Sequence, residues 1–332
     1  MERFLSVTIP VKDFHLDHIF DCGQCFRWNR AADGSWTGIA GGRVARMRME
    51  SAADPSGKTS PDEGILTIEG IPLPGESEAD FTTFWKDYLD LDRDYGKIKR
   101  SLGRGDAAMR RTIKAGAGIR ILNQDLWETM VSFIISQNNN IPRIKGCIEA
   151  VCREFGRELE HVPKNIFDTV RQDSASEGND LAAELDTVSG MSNCVESEKW
   201  YTIPGPEVLA ELTRADLDGC KLGYRAPYLI ETAKQVVRMG GMEAVEEQLK
   251  QAEDVIGALE DFAGVGPKVA SCIALFGVGR HDAFPIDVWM KRAMHTVYGI
   301  EKVKEMERYA AEHFGRYGGF AQQYLFYYIR GL

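Results

Sequence analysis

Lys268 and Asp287 are the lysine and carboxylate in this chain best placed to do chemistry. Lys268 closes the run Gly264-Val265-Gly266-Pro267-Lys268, and Asp287 follows nineteen positions later in Phe284-Pro285-Ile286-Asp287-Val288. Glycines at 264 and 266 let the backbone take positive φ and approach a ligand closely. Pro267 suits a first helical position, whose N–H has no intrahelical partner. The pattern predicts a tight hairpin feeding a helix, its free N–H groups and positive dipole end turned toward an anion such as a phosphate. Val269, Cys272, Ile273 and Phe276 recur at helical spacing and mark the buried face of that helix.

An ordinary lysine is neutral in only about one molecule in two to three thousand at pH 7, yet only the neutral amine attacks. A helix start and partial burial both disfavour the ammonium, so a lysine placed there is suited to attack carbon and form a Schiff base. Asp287 would then stabilise positive charge developing on a sugar ring. Hairpin and spacing alone also allow a plainer reading, in which Lys268 contacts phosphate and Asp287, ahead of Trp289-Met290-Lys291-Arg292, caps a helix.

Four other segments carry a resemblance: Gly23-Gln24-Cys25-Phe26-Arg27-Trp28, Ser136-Gln137-Asn138-Asn139-Asn140-Ile141-Pro142-Arg143, Leu222-Gly223-Tyr224-Arg225-Ala226 and Phe320-Ala321-Gln322-Gln323-Tyr324-Leu325-Phe326. With the hairpin, in this order and over most of the chain, they resemble the 8-oxoguanine DNA glycosylase family of the helix-hairpin-helix superfamily. Each motif alone has a structural explanation: a turn glycine, core aromatics, a small buried cysteine, an asparagine-rich helix end. Their joint occurrence outweighs that.

The resemblance implies a role for each matching residue. The Gly23 carbonyl would accept the N7 hydrogen that 8-oxoguanine has and guanine lacks, a bond whose absence discriminates strongly. Phe326 and Cys272 would sandwich the flipped base, and Gln322 would bond its pairing edge. Asn138 would fill the hole in the stack, Tyr224 would wedge between bases, and Arg143 with Arg225 would hold the orphaned cytosine. Gly264 and Gly266 would grip the phosphate backbone. No metal or other cofactor is needed for the chemistry, although a structural cation at carbonyls near Phe262 and Val265 is compatible with the resemblance. Trp289 stands where the family often has a histidine and Ile329 where that histidine's acidic partner is expected, so an apolar pair replaces a polar one there.

The elements that position these residues follow from patterning. Residues 1–100 form a strand-rich unit, with strands at Trp36-Thr37-Gly38-Ile39, residues 44–49 and Ile65-Leu66-Thr67-Ile68, and a polar loop over 51–64. Helical spacing begins at Phe81-Phe84-Trp85-Tyr88 and continues through Leu126-Met130-Phe133-Ile134 and Ile144-Ile148-Val151. The expected fold is therefore α+β: an N-terminal antiparallel β-sheet domain (1–100), then a helical glycosylase core (101–332) carrying an acidic insertion at about 172–199.

A formal charge of −10 over 332 residues runs against the basic balance that a DNA-binding protein favours. Residues 151–220, however, hold 15 acidic against 6 basic residues, whereas 101–150 hold 7 basic against 4 acidic, around the asparagine run. Local field, not whole-chain charge, steers a phosphate backbone. Among seven cysteines, Cys22-x-x-Cys25 lacks the second pair that a tetrahedral zinc site needs. Without a signal sequence or spanning segment, an intracellular protein is expected, in a bacterial cytoplasm rather than a nucleus.

These expectations converge on a monomeric, bifunctional glycosylase and abasic-site lyase acting on double-stranded DNA that contains 8-oxoguanine opposite cytosine. A helix-hairpin-helix glycosylase for another lesion, or a non-catalytic DNA-binding module, is the alternative.

Overall fold

The computed structural model describes residues 4–53, 59–159 and 199–332. The acidic stretch, Lys199 apart, lies outside the described residues. Strand β1 (Leu5–Lys12) alternates buried Leu5, Val7, Ile9 and Val11 with exposed partners, the period expected of a sheet with one covered face. With β2 (Trp28–Arg30), β3 (Trp36–Ala40), β4 (Arg43–Ala53) and β5 (Thr59–Ile71) it forms one five-stranded antiparallel sheet, in the order β1-β5-β4-β3-β2. The polar stretch at 51–64 is largely strand rather than loop: β4 and β5 run into it, pairing Ser51 with Gly64. Backbone pairing there overrides side-chain polarity, because the two strands satisfy each other's backbone groups while the side chains stay partly or fully exposed.

Helix α1 (Glu78–Tyr88) begins with a reciprocal Ser77–Asp80 capping box. It lays Phe81, Trp85 and Tyr88 on the sheet, beside Phe20, Trp28 and Trp36. Buried Trp28 Nε1 donates to the Tyr88 hydroxyl at 2.9 Å, which satisfies a polar atom that the core would otherwise strand.

Helix α2 (Leu126–Ser136) is buried nearly all round, as an apolar helix without a polar face must be. Around it stand α3 (Ile141–Phe155), α4 (Arg225–Met239), α5 (Val255–Glu260), α6 (Pro267–Ile273), α7 (Val288–Tyr298) and α8 (Gly318–Arg330). Side chains of Asp125, Asn140, Asp254 and Asp287 cap α2, α3, α5 and α7. As the spacing predicts, Val269, Cys272, Ile273 and Phe276 are all buried. A π turn carries the helical path past Ile273 to Val278.

The sheet unit and the helical core are joined at the segment after Phe20. Phe26 packs into the helical core while Cys25 and Trp28 pack under the sheet. Gln24 bonds both sides: its Nε2 donates to the carbonyls of Ile19 and Arg120, and its Oε1 accepts from the Leu122 N–H.

Candidate active site

The hairpin between α5 and α6 closes through the Val265 N–H to the Phe262 carbonyl, 3.0 Å. Gly264 takes φ +73, and a Cβ there would lie 2.4 Å from the Tyr228 ring, so the position admits neither a side chain nor its backbone preference. Gly266 differs from expectation. Its φ is −96, an extended conformation open to any residue, and a Cβ would meet nothing within 4 Å. What glycine supplies at 266 is open space over the backbone rather than a left-handed turn. Residues of α4 bolt the loop down: Thr232 Oγ1 donates to the Ala263 carbonyl, and the Gln235 amide bonds both Asp261 and Ala263.

Lys268 follows Pro267 on the first turn of α6, half-buried, its Nζ 5.5 Å from the Phe133 ring centroid. One turn on, Cys272 is buried; burial pushes its thiol up, opposed by the nearby Lys268 amine, which reaches it. Asp287 is the N-cap of α7, Oδ1 accepting the Met290 N–H at 2.8 Å. The capping role holds, yet the carboxylate also faces the lysine's cavity.

That cavity, about 50 Å³, is lined by Lys268, Asp287, Cys272, Gly23, Gln322 and Phe326, which come from four separate parts of the chain. Gly23 has φ +74, and a Cβ on it would lie 3.2 Å from the Phe326 ring. The ring thus rests directly on the glycine. Gln322 is 6% exposed, and among the described residues its Oε1 has no partner. Such an atom is costly to bury unless something arrives to pair with it.

The remaining predicted residues lie on a neighbouring surface. Asn138 is exposed, with left-handed φ +46, and Tyr224 is 48% exposed. Arg143 is exposed on the first turn of α3. Arg225 is only 3% exposed, and its guanidinium is bound to the carbonyls of Gln137, Asn138 and Leu222. In this arrangement it holds the asparagine loop from behind. Gln137 ties the parts together. Its Nε2 donates to the Gly264 carbonyl at 2.9 Å, and its own carbonyl accepts from Arg225 and from the Tyr224 hydroxyl.

Residues 6–130 match the family model for the 8-oxoguanine DNA glycosylase N-terminal domain, and residues 131–316 match that for HhH-GPD superfamily base excision DNA repair proteins. The Clostridium acetobutylicum 8-oxoguanine glycosylase/lyase, solved with double-stranded DNA containing cytosine opposite 8-oxoG, is 34% identical over 100% of this chain and 98% of its own, with a TM-score of 0.75. The chain belongs to the 8-oxoguanine DNA glycosylase family. A structure of MBOgg1 in complex with a low affinity DNA ligand is 35% identical, covering 100% of this chain and 99% of that one, at a TM-score of 0.77. N-glycosylase/DNA lyase OGG1 of Arabidopsis thaliana is 26% identical over 98% of this chain and 80% of its own length. The 3-methyladenine DNA glycosylase of Archaeoglobus fulgidus shares the fold, at 18% identity and a TM-score of 0.66.

Much of this family member's N-terminal motif is structural. Gln24 joins the two halves, Arg27 is buried with its Nε on Glu149 and its Nη2 on the Tyr201 carbonyl, and Trp28 sits in the sheet core. Sequence patterning missed Phe133, Pro285, Gln323 and Cys22 as cavity walls. The aromatic has only the signature of a core residue, and adjacent residues give no warning that 322 and 323 face one space. Cys22 and Cys25 are both buried, which pushes both thiols up, Cys22 to about 12, and so disfavours a reactive thiolate. At the departures from the family pattern, Ile329 is buried, whereas Trp289 is 40% exposed with the Arg292 guanidinium 5.7 Å from its ring centroid. Among the described residues, no group of three or more His, Cys, Asp or Glu could hold a metal ion, and no helix is long and apolar enough to cross a membrane.

Proposed function

We propose that the protein excises 8-oxoguanine opposite cytosine through a Schiff base on Lys268 and then cuts the strand. The observation that carries this reading is that one cavity brings together Lys268 and Asp287 with Gly23, Gln322 and Phe326. The flipped nucleotide places C1′ before the lysine. Nζ forms a bond to C1′ as the glycosidic bond breaks, the base leaving with the bonding electrons and taking up a proton. Asp287 stabilises the positive charge that develops on the sugar, a contribution made in the transition state rather than in binding. Opening of the sugar gives the imine; loss of a C2′ proton then expels the 3′ phosphate.

Gly23 supplies the carbonyl for the N7 hydrogen of the lesion, Cys272 and Phe326 hold the base's faces, and Gln322 meets its pairing edge. Flipping costs a few kcal/mol, offset by that stacking, by Asn138 filling the gap and by the Tyr224 wedge. The hairpin backbone at Gly264 and Gly266 takes a phosphate, and Arg143 reads the orphaned cytosine.

Incubation with an 8-oxoguanine:C duplex and borohydride tests the proposal. The expected result is a covalent protein–DNA adduct, lost in Lys268→Gln together with base release while lesion-DNA binding persists. Trapping by that variant at wild-type level would overturn the assignment. A protein that binds the duplex without adduct or base release is a DNA-binding module, and one that reacts only with another lesion is a different glycosylase.

A further inference from the structure

Gln323 lines the same cavity as Gln322 but has no part in the chemistry above. Gln322, Gln323 and Phe326 fall on one side of α8, Phe326 lying four and three positions beyond the two glutamines. Gln323 is 2% exposed, and among the described residues its Oε1 has no hydrogen-bond partner. Two neighbouring buried amides are therefore both left with an open acceptor at one cavity. The Lys268 amine lines the same cavity without pairing with either oxygen, and the apolar walls, Phe133, Phe276 and Pro285, carry no donor. Native proteins rarely strand buried polar atoms, so donors are expected from what the cavity binds.

We infer that Gln323 is a second acceptor for the pairing edge of a guanine-derived base and a determinant of specificity, resting on the proposed excision of 8-oxoguanine. That edge carries two adjacent donors, the N1 hydrogen and the exocyclic N2 amine. One open acceptor matches one donor; two match both. An adenine-derived base has an unprotonated N1 where guanine has its N–H, and would leave one glutamine facing another acceptor. A site that pairs a donor rejects the analogue lacking it, because its own polar atom then stays unpaired. A purine needs more room than about 50 Å³, and the least buried of the aromatic walls is the Phe326 ring resting on Gly23.

Single-turnover excision from duplexes carrying 8-oxoguanine or 8-oxohypoxanthine opposite cytosine isolates the N2 amine, since only that group differs. The wild type is expected to favour 8-oxoguanine by at least about tenfold. Q323L is expected to lose at least about tenfold on 8-oxoguanine and little on 8-oxohypoxanthine, so that the ratio falls toward one. Its Tm should hold or rise, because leucine removes an unpaired buried amide. Equal losses on both substrates with a lowered Tm would make Gln323 a structural amide and overturn the inference. Unchanged rates on both would overturn it as well. If the wild type releases 8-oxoguanine and Q323L leaves the ratio intact, this inference alone fails; if the wild type releases none, the proposed function fails with it.

Discussion

Under the proposed reading, Asp287 would be scaffold and reagent at once. Its Oδ1 is occupied by the Met290 N–H, which orients the carboxylate and ties it to the start of α7, while the same residue lines the cavity that Lys268 lines. The two roles separate in Asp287→Asn. Asparagine caps a helix about as well as aspartate, so the Tm should barely move. It cannot stabilise developing positive charge, and base release should slow by about 10²–10³, in line with loss of one preorganised electrostatic contact. Single-turnover rates beside a melting curve check this. A large fall in Tm with a matching loss of DNA binding would reduce Asp287 to a cap.

At the scale of elements, the asparagine loop, the hairpin and the start of α4 form one assembly centred on Gln137. The hydrogen bonds that join them span sequence separations of 87 to 127 residues. This explains what could be read in advance. Lys268, Asp287, Gly23, Gln322 and Phe326 were legible as neighbours because each belongs to a short motif, Cys272 only through the family resemblance, and the helix faces because burial imposes a 3.6-residue period. The work of Gln24, Gln137 and Arg225 was not, since it consists of side chains meeting distant carbonyls and leaves no local pattern. Gly266 misled for the opposite reason: glycine signals freedom of φ and freedom of space alike, and only the folded backbone tells them apart.

The buried state of Arg225 separates two arginine phenotypes. Arg225→Met should cost about 2 kcal/mol of stability, through lost charge-assisted bonds to the loop carbonyls, and should weaken lesion binding alike whichever base lies opposite. Exposed Arg143 should behave otherwise. Cytosine offers acceptors on its pairing edge where adenine offers an amine, and a guanidinium only donates, so excision opposite C should exceed that opposite A by at least about tenfold. Arg143→Met should narrow that ratio without lowering Tm. If Arg225→Met narrows the ratio while the fold is unchanged, the buried arginine must come forward in the complex.

For the whole molecule, the net −10 is spread unevenly along the sequence: much of the acidic excess falls in residues 151–220, whereas the stretch 101–150 around the asparagine run is basic, and local field rather than whole-chain charge steers a phosphate backbone. One carboxyl at the junction of the two halves titrates unusually. Glu128, near Arg27, Asp125 and Glu149, is pushed up to about 7 by burial, Arg27 opposing and the two carboxylates adding. A folded-state value above the ordinary 4.5 means that the folded protein binds a proton the unfolded chain has already released. This group's contribution to stability is therefore full below about pH 4.5, declines as pH rises to about 7, and is gone above. Glu128→Gln removes the charge without removing the side chain's volume. Melting curves should show it more stable than wild type at pH 8, with the difference shrinking steadily as pH is lowered toward 4.5. A difference independent of pH would mean that Glu128 stays ionised in the fold, held by the Arg27 guanidinium against the cost of burial.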